Sequence, residues 1–100
     1  MKLPNDNEFL KTLLNYLHLM TESSCTLCVV LNRKPAFLKT IQKILTDPAR
    51  NLTQLQSFTI GIIFNITREL RTQKPPLDPS DQLKVIIPIT IGCLQKILNV

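Results

Sequence analysis

The residues of this chain whose types and spacing could do chemistry are its cysteines and its one histidine. Cys25 and Cys28 form a C-x-x-C pair at the start of a predicted helix, a position that lowers the pKa of a thiol. A redox site of the thioredoxin kind also needs a preceding strand, and none is predicted here. A structural zinc ion needs four ligands, and only Cys93 and His18 could join the pair. We therefore interpret both cysteines as small core residues, and keep them as weak metal or redox candidates.

Other catalytic arrangements are missing from the sequence. His18 has no serine or carboxylate placed with it, and the seven acidic residues are scattered, mostly in positions that cap helices. No glycine-rich loop for a phosphate occurs, since the chain has only two glycines. The sequence thus predicts a protein that is not an enzyme and that needs no cofactor.

Length and composition limit the chain to a single domain over residues 1–100, or to a piece of one. Hydrophobic residues make up 44%, enough for a core, and without tryptophan that core is aliphatic. The formal net charge of +5 is spread along the chain, so we interpret it as a solvated basic surface. The alternative is a helical nucleic-acid-binding module that uses two basic groups, Arg33, Lys34, Lys39 and Lys43 on one side and Arg68, Arg71 and Lys74 on another.

The sequence predicts an intracellular protein, cytoplasmic or nuclear, that does not enter a membrane and is not secreted. Asp6 and Glu8 occupy the place of the positive region of a secretion signal, and the apolar residues that follow are periodic. No apolar run approaches the roughly 20 residues that a membrane-spanning helix needs. An odd number of cysteines, three, is typical of free thiols in a reducing compartment.

Hydrophobic periodicity and capping residues predict an all-α chain of five to six helices. The predicted helices cover residues 6–20, 25–32, 35–45, 51–71 and 79–98. The last starts at Pro79 after a capping Asp78, and Pro88 either kinks it or divides it into two helices. In the first helix we expect the apolar residues to face the core, namely Phe9, Leu10, Leu13, Leu14, Leu17 and Met20.

Residues 51–71 form the longest periodic segment, and we expect the other helices to pack around it. Its core residues recur at steps of three and four: Leu52, Leu55, Phe58, Thr59, Ile62, Ile63, Ile66 and Leu70. Ile60 and Phe64 widen this face, which indicates cover on more than one side. Gly61 costs about 1 kcal/mol relative to alanine in the middle of a helix. We expect the backbone of a neighbouring helix to approach closely there.

A short pattern recurs toward the ends of three predicted helices. It consists of a bulky apolar residue, any residue, an asparagine and a further apolar or aromatic residue. The copies are Leu13–Tyr16, Ile63–Ile66 and Ile97–Val100, separated by fifty and then thirty-four residues. The unequal separations make this an irregular repeat.

Residues 59–67, which read TIGIIFNIT, end a series of a short, a medium and a long helix, and they resemble the third helix of an armadillo repeat. The resemblance covers about one repeat, residues 23–70, with partial repeats on each side, and the HEAT class fits nearly as well. Asn32-Arg33-Lys34 replaces the glycine usual between the first two helices. The resemblance implies a right-handed α-solenoid that serves as a protein–protein interaction scaffold and has no catalytic centre.

The resemblance also places the partner-binding residues on helix 51–71. Asn65 matches the asparagine with which importin-like members bind the backbone of a peptide, a task that suits a carboxamide because it both donates and accepts. The alternative is that Asn65 caps or bridges a neighbouring turn. With Asn65, we expect Phe64, Arg68 and Arg71 to contact a partner peptide or helix.

A solenoid of this kind needs about three repeats for stability, and this chain supplies fewer. We therefore expect a fragment or short isoform of a longer solenoid, or a small subunit completed by a protein partner or by self-association. Apolar surface should then be exposed at both ends of the chain. A monomer that unfolds cooperatively in sedimentation and melting experiments would contradict this expectation.

Overall fold

The computed structural model describes residues 6–47 and 54–98, and these residues form an all-α structure without strands. Five helices follow one another: α1 (Asp6–Ser23), α2 (Cys25–Asn32), α3 (Pro35–Thr46), α4 (Gln54–Thr72) and α5 (Asp81–Leu98). The all-α prediction is confirmed, while residues 51–53, predicted to start the fourth helix, lie outside the described ranges. No helix within those ranges is long and apolar enough to cross a membrane.

The centre of the structure is α4, which contacts each of the other four helices described. Its core side is buried as the periodicity predicts, at Leu55, Thr59, Ile62, Ile63, Ile66 and Leu70. Buried residues of α2, α3 and α5 complete the core: Cys28, Leu31, Leu38, Ile41, Ile44, Leu45, Leu83 and Ile86. Each buried aliphatic side chain contributes roughly 1.5–3 kcal/mol to folding. The exception on α4 is Phe64, which was expected to be covered and is exposed.

Ser24 sets the boundary between α1 and α2. The first helix continues past the predicted end at Met20, as far as Ser23. The Ser24 amide then donates to the Met20 carbonyl at 2.9 Å, and the Ser24 hydroxyl accepts from the Leu27 amide at 3.2 Å. One residue thus ends the first helix and caps the second. The predicted bounds of α2 and the start of α3 at Pro35 are confirmed.

The start of α5 differs from the prediction by two residues. The helix begins at Asp81 and not at Pro79. Its cap is Ser80, whose hydroxyl accepts from the Leu83 amide at 3.3 Å. The capping role predicted for Asp78 is therefore wrong, because the helix starts after Ser80 and the Ser80 hydroxyl accepts from an amide group of its first turn.

The buried side chain of Asn32, at the end of α2, holds the start of α5 in place. Its Nδ2 donates to the Asp78 carbonyl at 3.3 Å, and its Oδ1 accepts from the Ser80 amide at 2.8 Å. From this anchored start, α5 continues as one helix through Pro88. Of the two possibilities left open by the sequence, a single helix is the correct one.

Only part of the predicted apolar face of α1 is covered. The residues that turn toward the core are Leu10, Leu14 and Leu17. The prediction is wrong for Phe9, Leu13 and Met20, which are exposed. The reason is that α1 packs mainly on α4 and α2, and an apolar face this broad is wider than those neighbours cover.

Candidate functional site

One side of α4 is closed by α1, and Asn65 lies there. The Asn65 residue is 3% exposed, and its Nδ2 donates to the His18 carbonyl at 3.2 Å and to the Thr21 hydroxyl at 3.0 Å. The Thr21 hydroxyl in turn donates to the Leu17 carbonyl at 2.8 Å. Asn65 therefore bridges two helices, and its carboxamide is not accessible to a partner. This placement agrees with the bridging alternative and not with a peptide-binding role.

The carbonyl groups at the end of α1 receive their partners from α2 and α4. The last turn of a helix leaves these groups without a partner in the helix itself. The Thr21 carbonyl accepts from the Cys28 thiol at 3.2 Å, and the Glu22 carbonyl accepts from the Arg68 guanidinium at 3.4 Å. The positive charge of Arg68 also suits the negative end of the helix dipole. The carboxyl end of α1 is thereby fixed on α4.

Gly61 makes room for a side chain of α1. A Cβ atom at this position would lie 2.5 Å from Nε2 of His18. The His18 ring also meets the Phe58 ring, with 6.2 Å between the two centroids. The close approach predicted at Gly61 is confirmed, but an imidazole ring makes it and not the backbone of a neighbouring helix.

A second side of α4 is open to solvent, and Phe64 stands out from it with 62% of the residue exposed. The Arg68 guanidinium lies over the Phe64 ring, 5.7 Å from its centroid, in a cation–π contact. Both residues line a basic pocket together with Thr67, Arg71 and Thr72. Three of the four residues predicted to contact a partner thus share one surface, and Asn65 lies apart from it.

An apolar groove between α4 and α5 adjoins this pocket. Its volume is about 230 Å³, and it is lined by Ile60, Ile63, Phe64, Thr67, Ile87, Thr90, Ile91 and Leu94. The two threonine hydroxyls in the groove donate to carbonyl groups of their own helices, at 2.8 and 3.0 Å. Contiguous exposed apolar surface of this kind marks interaction sites in soluble proteins. Because Phe64 borders both the groove and the pocket, the surface presents an apolar slot beside positive charge.

The C-x-x-C pair is divided between surface and core. Cys25 is exposed, so its interpretation as a core residue is wrong, whereas Cys28 is fully buried. Burial raises the pKa of the Cys28 thiol from 9.0 to about 11, and the charge of nearby Glu69 adds to this effect. Cys28 therefore stays protonated and is a poor nucleophile or metal ligand. Within residues 6–47 and 54–98, no three metal-ligating side chains come together.

Several residues that shape the site were not singled out from the sequence. Gln56 is buried and donates to the Leu45 carbonyl at 3.0 Å, which fixes the end of α3 on α4. Thr21 links Asn65 to α1, and Ile91 and Leu94 form one wall of the groove. Periodicity identifies the apolar face of α5, but it does not tell which part of that face the other helices leave uncovered.

Comparisons of the chain with models of protein families, with curated proteins and with solved structures give no match. The interpretation of the site therefore depends on its own geometry: a closed polar side of α4, and an open side that joins an apolar groove to a pair of arginines.

Proposed function

We propose that this protein is a non-catalytic protein–protein interaction scaffold of the armadillo-like type, and that it binds a peptide or helix of a protein partner on the open side of α4. The observation that carries the proposal is Phe64, an aromatic residue that is 62% exposed between the apolar groove and the basic pocket. Aromatic residues and arginines supply much of the binding energy at protein interfaces.

The surface favours a partner segment with an apolar stripe and acidic residues beside it. Aliphatic or aromatic side chains suit the groove, because burying each one contributes roughly 1.5–3 kcal/mol. The Arg68 guanidinium is already held by the Glu22 carbonyl at 3.4 Å and by the Glu69 carboxylate at 3.5 Å, so it loses little conformational freedom on binding. Arg71 is exposed at the edge of the pocket, where a carboxylate of the partner can approach it.

Helix order and pairing support the solenoid part of the proposal. The short α2, the medium α3 and the long α4 follow one another, with eight, twelve and nineteen residues. If α2, α3 and α4 form one unit, the contacts of α1 with α4 and of α3 with α5 are those expected between neighbouring units. An intracellular location, cytoplasmic or nuclear, belongs to the same proposal, because all three cysteines are free thiols.

The proposal is tested by selecting helical peptides against the folded protein. A display library of amphipathic peptides about 18 residues long, with acidic residues varied along one edge, is selected on the wild-type protein. The dissociation constants of the selected peptides are then measured by fluorescence anisotropy. We expect binders whose affinity falls roughly tenfold or more on Phe64→Ser and on Arg71→Glu, a loss of about 1.4 kcal/mol or more.

Matched controls come from exposed residues elsewhere. Val30→Ser removes an exposed apolar residue from α2, and Lys39→Glu reverses an exposed charge on α3, so both should leave peptide affinity unchanged. Selected peptides that bind all four variants equally well would contradict the proposal, as would a selection that enriches no binder. Binding of duplex nucleic acid that weakens steeply with salt and is lost on Lys39→Glu would favour the nucleic-acid alternative.

A further inference from the structure

A stripe of large apolar side chains runs along the outer face of α1. Phe9, Leu13, Tyr16 and Met20 follow one another at steps of four, three and four, and all four are exposed. Such spacing puts the four side chains on one face of the helix. That face is not the one that packs on α4, which carries Leu14. A stripe of this length is more than scattered surface hydrophobicity and is typical of a surface that contacts another element.

The irregular repeat indicates what such a stripe is built to contact. When Asn15 of α1 is aligned with Asn65 of α4, the exposed stripe matches positions that α4 buries in the core. The matched pairs are Phe9 with Thr59, Leu13 with Ile63, Tyr16 with Ile66, and Met20 with Leu70. The same face is therefore covered in α4 by the other helices of the chain, and left uncovered in α1.

The groove between α4 and α5 lies at the other end of the helix series. Ile91 and Leu94 on one wall are exposed, as is Phe64 on the other. Within the described residues, α5 therefore carries an apolar face without a helix on it, and α1 carries an apolar face without a covering helix. An apolar helix face such as the one on α1 could therefore cover the open face of α5.

The packing of α1 on α4 defines how one long helix lies beside the next. His18 meets Gly61, Thr21 meets Asn65, and the Glu22 carbonyl meets Arg68. Both residue numbers rise together along these contacts, so α1 and α4 run parallel. Repeating this arrangement once places a further helix of the α1 type parallel to α4 and against α5, which is the position of the groove.

We infer that the groove between α4 and α5 binds α1 of a second copy of this chain, so that copies associate head to tail. The inference rests on the proposed function, because it names the partner of the same surface. In this arrangement the stripe of one copy, with Leu13 and Tyr16, packs on Ile91 and Leu94 of the next. Phe64 lies beside the docked helix.

Charge complementarity favours this occupant over an unrelated helix. The helix α1 carries Asp6, Glu8, Glu22 and Lys11, a net charge of −2. The groove helices α4 and α5 carry Arg68, Arg71, Lys84 and Lys96 against Glu69 and Asp81, a net charge of +2. Opposite net charges on two surfaces speed their association and favour this pairing over one between like charges.

A head-to-tail interface joins the stripe of one copy to the groove of the next. In a pair of copies, one copy therefore still has a free groove and the other a free stripe. Such heterologous contacts do not close at two copies, and they continue into rings or open chains. We therefore expect wild-type particles whose mass grows with concentration and does not stop at a dimer.

Complementation between two variants tests the inference by sedimentation velocity. The stripe variant, Leu13→Ser with Tyr16→Ser, keeps an intact groove. The groove variant, Ile91→Ser with Leu94→Ser, keeps an intact α1. All four residues are exposed, so both variants should fold, which circular dichroism checks. We expect each variant alone to be monomeric and an equimolar mixture to form a one-to-one dimer that grows no further.

A control variant, Val30→Ser with Val85→Ser, removes two exposed apolar residues outside both surfaces and should assemble as the wild type does. A wild-type protein that stays monomeric at all concentrations would overturn the inference. So would a mixture without heterodimers, or one variant that still dimerises alone, since a symmetric interface behaves in that way. If selected peptides nevertheless bind at Phe64, only the choice of a second copy fails; if they do not, the proposed function fails as well.

Discussion

The two sides of α4 differ in hydrogen bonding and in packing: α1 covers one side, and the other is exposed to solvent. On the side that faces α1, Asn65 donates to two groups of α1, and the His18 ring fills the space above Gly61. On the side that faces solvent, Phe64 is exposed beside an apolar groove. The first side is closed by α1, whereas the second presents apolar surface that the described helices leave uncovered.

Phe64 and Asn65 show how sharp this division is, because they are neighbours in the sequence. One helical step turns the side chain by about 100°. That turn takes a residue from 62% exposed at Phe64 to 3% exposed at Asn65. The lesson is that the first side serves folding and the second is available for binding, although one short motif supplies both.

The largest effect on the closed side is expected from Asn65→Asp. The carboxylate would replace the Nδ2 donor and face the His18 carbonyl and the Thr21 hydroxyl oxygen, both of which are acceptors for Asn65. A buried charge left without compensation costs about 3–5 kcal/mol. We expect a loss of that size in the free energy of unfolding, measured by urea denaturation. Asn15→Asp, at the exposed matching position of α1, is the control and should change stability by about 0.5 kcal/mol or less.

High pH should weaken the closed side through Cys28. Burial raises the pKa of its thiol from 9.0 to about 11, so the folded protein keeps a proton that the unfolded chain loses between these values. Stability from this group is complete below pH 9 and is lost as the pH rises through about 11, and the complete loss is about 3 kcal/mol.

The measurement is the free energy of unfolding at several pH values, compared between the wild type and Cys28→Ala. The difference between the two proteins should shrink from pH 9 to pH 11, because the variant has no thiol to titrate there. Cys25→Ala, which keeps Cys28, should follow the wild type. Parallel pH profiles for the wild type and Cys28→Ala would show that the buried thiol does not couple to folding.

A smaller loss is expected from Gly61→Ala, where helix propensity and packing oppose each other. Alanine in the middle of a helix is favoured over glycine by about 1 kcal/mol. Here the added methyl group would lie 2.5 Å from the His18 ring, and overpacking of this kind costs about 1–3 kcal/mol. We expect a net loss of about 1 kcal/mol, seen in thermal or urea unfolding.

Two further variants separate packing from propensity at that position. Gly92→Ala meets no atom within 4 Å and should stabilise α5. In a His18→Ala background, Gly61→Ala should also become stabilising, since the opposing ring is gone. If Gly61→Ala stabilised the wild-type protein, close packing of the His18 ring on Gly61 would not limit the size of the side chain at position 61.

Much of the fold could be predicted from the sequence because helices depend on residues that lie close together in the chain. Hydrophobic periodicity identifies α2, α3 and α4 and most of their buried residues, and Pro35 marks the start of α3. The start of α5 was displaced because Asp78, Pro79 and Ser80 offer several local ways to begin a helix. The choice is made by Asn32, which lies 46 residues away from Asp78 in the chain.

The candidate site could be predicted only for residues that the fold leaves exposed. Phe64, Arg68 and Arg71 were expected to form one surface, and they line one pocket. Asn65 belongs to the same motif but turns inward, because the end of α1 supplies a carbonyl and a hydroxyl that accept from its Nδ2. The groove was not foreseen, since its walls come from two helices whose relative placement depends on the whole core.

The most direct test of the two-sided account compares Asn65→Ala with Phe64→Ser in both stability and binding. Asn65→Ala should lower the free energy of unfolding by about 1–3 kcal/mol and leave the affinity of the folded protein for a selected peptide unchanged. Phe64→Ser should change stability by about 0.5 kcal/mol or less and weaken peptide binding roughly tenfold or more. The account is contradicted if folded Asn65→Ala loses peptide binding, or if Phe64→Ser destabilises the protein as much as Asn65→Ala does.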